Sequence, residues 1–470
     1  MKKSLLTALL AFSSTFALVA SHVVGGELKL WTDTINGQFA IKIELRIVRD
    51  IYGIPMGPVN DVAIQDSSLN TITTVPLSLQ AGTGVNNFIY PPTGVNLIPQ
   101  FELYVYEGHF FPTNPNIYLR AVYEICCRHN AVDNIINSAS ESYHIYADID
   151  LTKGLNSELP VITPMAAYVN INTPFSISHF TQDVDGDSLY FSLKTPLSYN
   201  GDTVANYSLP WQSATNPIPF QVDANIGFIS GYADNISIMA YRIEIEEYRK
   251  NTSNQYALLA RHNKDLIIQS VAGNSASNFS LGNIPNSTTL PNGAIEVPFL
   301  GGQNNQFTLS FSNVSAQNLT VKLYGGPFDF DSINTNTTKD SISNTQCDFH
   351  ISWNPNQLYA RNEPYYFVVR VMHHGFPYDM LMAISVKSSI GNKELSFTTA
   401  LIYPNPSSDY LVIKTAQPWQ KVAFFGISGA PVLVVDQYQE RIDISAIPAG
   451  VYMVNVYQNN FFENFRFIKY

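Results

Sequence analysis

Apolar and polar residues alternate with a period of two along much of the chain. From Phe39 to Ile47, the apolar Ile41, Ile43, Leu45 and Ile47 interleave with Lys42, Glu44 and Arg46, as in a strand with one buried face. Tyr241, Ile243 and Ile245 against Arg242, Glu244 and Glu246 repeat the pattern. Tyr365 to Val371 and Val451 to Tyr457 add runs rich in Val, Tyr and Phe, whose branched or flat side chains suit a pleated surface. Turn clusters such as Tyr90-Pro91-Pro92-Thr93-Gly94 and Asn292-Gly293 fall between them. No stretch holds a helical period for three turns, although Asn130 to Ser138 could make a short helix. The pattern predicts an all-β chain of tandem antiparallel β-sandwich modules, immunoglobulin-like or cadherin-like.

An internal repeat divides it further. Phe175 to Phe180 and Leu189 to Leu193 resemble Phe307 to Phe311 and Leu319 to Leu323. Each pair is followed by an aromatic-rich strand, Tyr241 to Tyr248 or Tyr365 to Val371, and by an apolar closing strand, Leu266 to Ile268 or Met382 to Val386. With 470 residues, too many for one core, the expected division is a signal peptide (1–21) and three sandwich modules (22–154, 155–272, 273–388). A linker (389–402) and a small C-terminal sandwich (403–470) follow. Leu155 to Pro160 and Ala272 to Ser277 would join the modules. The first segment has the layout of a secretory leader: Met1-Lys2-Lys3, then an apolar run from Leu5 to Ala20, with cleavage after Ala20 or Ser21. No later run is long and apolar enough to predict a transmembrane segment.

Composition narrows the setting. Charged residues are only 13%, about half the usual share, while 45% of the chain is hydrophobic, which favours folding over disorder. The net charge of −11 and the lack of a basic run argue against nucleic acid and against an anionic membrane surface. Cys126, Cys127 and Cys347 are an odd set in an exported chain, so at least one thiol is left over within it. Buried small residues are as good a reading as any bridge.

The final segment carries Tyr403-Pro-Asn-Pro-Ser-Ser-Asp409, Tyr410 to Lys414, Phe424 to Gly429, Ile442 to Ser445, Gly450 to Val456 and Phe465 to Lys469 in order. This series resembles the C-terminal sorting domain of cargo for the type IX secretion system of Bacteroidetes. The resemblance implies passage through the periplasm to the cell surface or medium, with the type IX machinery as partner. Upstream, Ser21 to Glu27, Arg49-Asp50, Cys126-Cys-Arg-His-Asn130, Asn134 to Asn137, Ala214 to Pro217, Gly227 to Gly231 and Glu246-Glu-Tyr-Arg249 resemble modules of large uncharacterised surface proteins of the same bacteria. Those relatives carry more cysteines in the first module, and no activity transfers from them.

The sharpest chemical motif is Asp183-Val-Asp185-Gly-Asp187. Three carboxylates in five residues, with Gly186 for a tight turn, can wrap calcium in oxygen ligands. The loop lacks the EF-hand glycine and glutamate, and resembles the Asp-x-Asp-Gly-Asp-x-Leu loop of cadherin-like bacterial domains. A solvated turn whose Asp side chains cap their own backbone fits equally. The third module has Asn313 to Asn318 at the matching place and no carboxylate. No other cofactor is expected. His373-His374, as strand neighbours, should face opposite ways. Cys347 with His350 lacks two further metal ligands. Gly227-Phe-Ile-Ser230-Gly231 is not a nucleophile elbow. Trp31, Trp211, Trp353 and Trp419 read as core. Five triplets, beginning at Asp33, Asp187, Asp202, Asp331 and Asp340, are similar to the O-glycosylation motif of exported Bacteroidetes proteins. The expectation is a non-enzymatic, adhesin-like or structural surface protein with an unknown extracellular protein or glycan ligand. The alternative is a secreted hydrolase or glycan-binding accessory protein.

Overall fold

The computed structural model describes residues 23–90, 101–165, 167–213, 215–251, 254–273, 279–388, 400–415, 418–426, 429–458 and 461–470. The signal peptide, most of the 389–402 linker and part of the Ala272–Ser277 joint lie outside these. Among the described residues the chain is strands, turns and single helical turns, and no helix is long and apolar enough to cross a membrane. The stretch Asn130 to Ser138 folds as successive turns, with a single 3-10 turn at Ser138–Ser140.

Residues 23–150 form strands that roll into a closed antiparallel ring. In ring order these are Val23–Ile35, Gln38–Asp50, Phe101–Phe110, Thr71–Leu79, Val59–Gln65, Tyr118–Ile125 and Tyr143–Asp150. The closing member is Tyr256–Val271, which pairs both with Tyr143–Asp150 and with Val23–Ile35. That strand comes from the following module, so no sheet boundary exists near Leu155. Its Leu259 and Ala260 enter the first module's core, while Leu266 and Ile268 enter the second's.

The alternation at Phe39 to Ile47 appears as expected, with Ile41, Ile43, Leu45 and Ile47 at 0–1% exposure. The polar face is covered too. Glu44 and Lys29 are buried and paired at 2.9 Å, because the crossing segment lays Asn156 O on Thr32 N and Leu159 O on Lys29 Nζ.

The repeat holds strand by strand. In the second module Ser188–Lys194, Ser237–Lys250 and Tyr256–Val271 pair in an antiparallel row. In the third, Leu319–Tyr324, Tyr365–His373 and Phe376–Lys387 do the same. Each closing strand also takes a parallel partner, Tyr168–Asn170 or Ile295–Leu300. The opposite layers hold Pro174–Ser178 and Asn305–Ser312. The C-terminal module is a small two-sheet sandwich around Leu411, Trp419, Phe424, Ile442, Val454 and Phe467. All four tryptophans are buried.

Charged side chains tie the modules together. Arg370 grips Asp379 with two bonds of 2.8 Å, and Asp379 Oδ2 also accepts from Ser178 N of the second module. Arg370 Nη1 donates to Pro164 O. The C-terminal module does not stand off on a spacer as its small core alone would allow. Ala423 and Phe425 are members of the third module's core, and Tyr457 OH donates to Leu358 O.

Candidate functional site

The acidic loop follows Pro174–Ser178 and leads into Ser188–Lys194. Asp183 Oδ1 accepts from Asp187 N at 2.8 Å, closing a turn that places Gly186 at φ 81°, where side chains other than glycine's are strained. One oxygen from each of Asp183, Asp185 and Asp187 lies within 4.8 Å of the others. The sequence motif therefore does bring its three carboxylates together.

Pairing decides what meets them. Ser188 lies opposite Tyr248, so the end of the neighbouring strand delivers Arg249 to the loop. Its Nε reaches Asp187 Oδ1 at 3.0 Å, and its Nη2 reaches Asp187 Oδ2 at 2.5 Å and Asp185 Oδ2 at 3.1 Å. Arg249 Nη1 also donates to Leu155 O. Ser157 donates N–H and O–H to Asp185 at 2.9 Å each. From the C-terminal module, Arg466 Nη2 lies 3.3 Å from Asp185 Oδ1, and Nη1 lies 3.3 Å from Asp185 O. Both arginines stand in sequence motifs, Arg249 in Glu246 to Arg249 and Arg466 in Phe465 to Lys469, but neither motif points to the acidic loop. Only the register of Ser188–Lys194 on its neighbour could have pointed to the first, and no local signal could have found the second.

Behind this layer charge is in excess. Glu247 is fully buried; its Oε1 meets His262 Nε2, and among the described residues its Oε2 has no partner. Asp183 Oδ2 is likewise buried without a partner among the described residues. Burial, then the carboxylate of Glu247, push the Asp183 carboxyl up to about 8, against the smaller lowering effect of the Asp187 amide. The folded chain thus binds this proton more tightly than the unfolded chain, so its contribution to stability falls as pH rises from 3.8 to about 8. Asp183→Asn keeps the bond from Asp187 N and cannot ionise. It should flatten that part of the pH profile and stabilise the chain at pH 8.5 by at least about 1 kcal/mol in urea melts. An unchanged profile would remove Asp183 as its source.

Calcium needs six to eight oxygen ligands. The orphaned Asp183 Oδ2 and Glu247 Oε2 would suit a cation, but Asp185 and Asp187 are held by guanidinium groups that fill the same electrostatic need. As arranged, the donor set does not fit calcium.

The other candidates separate. Cys347 is free and buried in the third module's core, whereas His350 is hydrogen-bonded with Thr308 and Asp340. The structure joins Cys126 to Cys127. His373 and His374 were expected on opposite faces, yet their rings lie 4.6 Å apart. The strand ends at His373 and the chain turns at His374, φ 51°. His373 Nε2 accepts from Ser315 N, and burial, then His374, lower its pKa to about 4. Of the five triplets, the hydroxyl residues Ser188, Thr203, Ser332 and Ser341 are exposed. A cavity of about 720 Å3 opens where the first three modules meet.

Residues 401–469 match the family described as the secretion system C-terminal sorting domain. The C-terminal module is the sorting domain of type IX secretion cargo. It directs export to the cell surface or extracellular space. No curated protein matches the chain. Among solved structures, it is similar to a three-Ig fragment of titin, with 8% identity and TM-score 0.17 over 66% of this chain and 98% of that one. It is similar also to the N-terminal four Ig domains of Dscam1, with 9% identity and TM-score 0.18 over 95% and 99%. An endo-fucoidan hydrolase of glycoside hydrolase family 107 matches at 10% identity and TM-score 0.15 over 71% and 42%.

Proposed function

We propose that this exported cargo is a non-enzymatic surface or secreted protein that acts by binding or by building structure, in the manner of an adhesin. One observation carries the reading: ion pairs bind the joints between modules. Arg128 binds Asp265 at the joint of the first and second modules, Arg370 binds Asp379 at the second and third, and Arg466 binds Asp185 at the second and last. Carboxylates neutralised in this way hold a scaffold rigid; general acid–base work needs them poised in a cleft. The purified chain should bind saturably on an array of glycans and host matrix proteins, and turn over nothing on a hydrolase panel. Hydrolysis of any panel substrate, absent from a mock purification, would favour the secreted-hydrolase reading instead.

In this reading the Asp183–Asp187 loop is held by arginine, not by calcium. The melting temperature should be the same in calcium and in chelator. A saturable rise with calcium would restore the metal, because a ligand that binds only the folded state must stabilise it.

A further inference from the structure

The cavity between the first three modules has two unlike walls. Phe88, Leu103, Met165 and Met372 line it with apolar surface, and all four are only partly buried. Two cross-strand rows of charge reach the lining, all but Asp379 of their members lying on it. In the first, Glu27 lies opposite both Arg46 and Lys264 on its neighbouring strands, and touches them at 3.3 and 3.1 Å. In the second, Arg370 lies opposite both Lys322 and Asp379.

The second row sets two cations against one carboxylate; in the first, Glu44, which does not line the cavity, adds its carboxylate to Arg46. Arg370 is spent on Asp379 and on Pro164 O. That leaves Lys322, exposed and without an ion pair among the described residues, directly across from a second cation. Like charges facing across strands are unfavourable. The Arg46 side chain bonds through Nε to Glu44 and Glu27, leaving its Nη donors uncommitted among the described residues. His179, also in the lining, is kept neutral by burial and then by Lys264, with its pKa near 3. A chain of net charge −11 has thus left a lysine without an ion pair and open guanidinium donors beside unspent apolar surface, within the volume range of small-molecule sites.

We propose that this cavity binds a small organic anion with an apolar body, its charge met by Lys322 and Arg46 and its body by Phe88, Leu103, Met165 and Met372. This names a ligand class for the binding role above and rests on that reading. The test is separable, because it measures occupancy of the cavity rather than catalysis or surface adhesion.

Two fluorescent probes that differ in one group suffice: 1-anilinonaphthalene-8-sulfonate and its uncharged parent, N-phenyl-1-naphthylamine. The full mature chain should bind the sulfonate at one saturable site, about tenfold tighter than the parent. K322E should weaken the sulfonate about fivefold, as for an exposed charge, and leave binding of the parent unchanged. Met372→Trp, which fills the apolar wall, should weaken both probes. Equal affinity for the two probes, or no effect of K322E on the sulfonate, would overturn the proposal even if Met372→Trp failed to fold.

Discussion

Replacing Arg128 with alanine should destabilise the protein by about 3–5 kcal/mol, the usual effect of stripping the partner from a buried ion. Asp265 has no exposed side-chain surface and is held by Arg128 Nη1 at 3.0 Å and Nη2 at 2.5 Å. Nη2 also donates to Leu197 O, and the guanidinium lies 5.1 Å from the centroid of the Tyr143 ring. Tyr143 in turn donates to Asp265 O at 3.1 Å. All of this sits where Tyr256–Val271 closes the first module's ring. Loss of Arg128 leaves a bare carboxylate inside that closure, and the first and second modules should loosen together in a single denaturant transition of lower midpoint. Arg128→Met combined with Asp265→Leu should recover much of the loss, because a matched apolar pair strands no charge. A midpoint unmoved by Arg128→Ala would mean that the closure does not depend on this pair.

The second large effect is expected at Phe425, whose truncation to alanine should cost about 3 kcal/mol or more. In Lys421–Phe425 successive side chains face opposite ways. Phe424 packs into its own module against Phe467, with ring centroids 5.9 Å apart. Phe425 enters the third module's core and lies 6.4 Å from the Tyr359 ring. The sorting domain is therefore docked on the body. Phe425→Ala should lower the melting temperature of the third module and leave the sorting domain's own core intact, read by hydrogen exchange resolved along the chain. Protection of the third module unchanged by Phe425→Ala would contradict the docking.

These two sites mark what the sequence could and could not reveal. Alternation at Ile41 to Ile47 and at Tyr241 to Ile245 identifies strands because a period of two follows from local backbone geometry. The repeat is readable because both copies keep their apolar strands in the same order. Alternation says only that a face is buried, not against what. Hence Phe425 reads like any inward residue of a small sandwich, although its partner is another module. Tyr256–Val271 is harder still: its two halves serve different cores, so its pattern does not break at a boundary. The acidic loop was visible as Asp183, Asp185 and Asp187, but the cation it meets was not. Arg249 arrives by strand register, and Arg466 across a distance in sequence that no motif spans. A hard ion and a guanidinium ask for the same carboxylates, and only their neighbours distinguish the two.

The last module is a folded export address, and a fusion tests this more cleanly than a deletion. Deleting 401–470 would uncover Tyr359 and its neighbours in the third module, confounding export with misfolding. The sorting domain has its own buried core of Leu411, Trp419, Ile442, Val454 and Phe467, so it should fold on a foreign carrier. Residues 400–470 fused to a periplasmic reporter, in a strain with a working type IX system, should carry the reporter to the cell surface or the medium, as judged by protease accessibility of intact cells. A folded fusion retained in the periplasm, while the whole chain is exported from the same strain, would show that the module is not a sufficient export address.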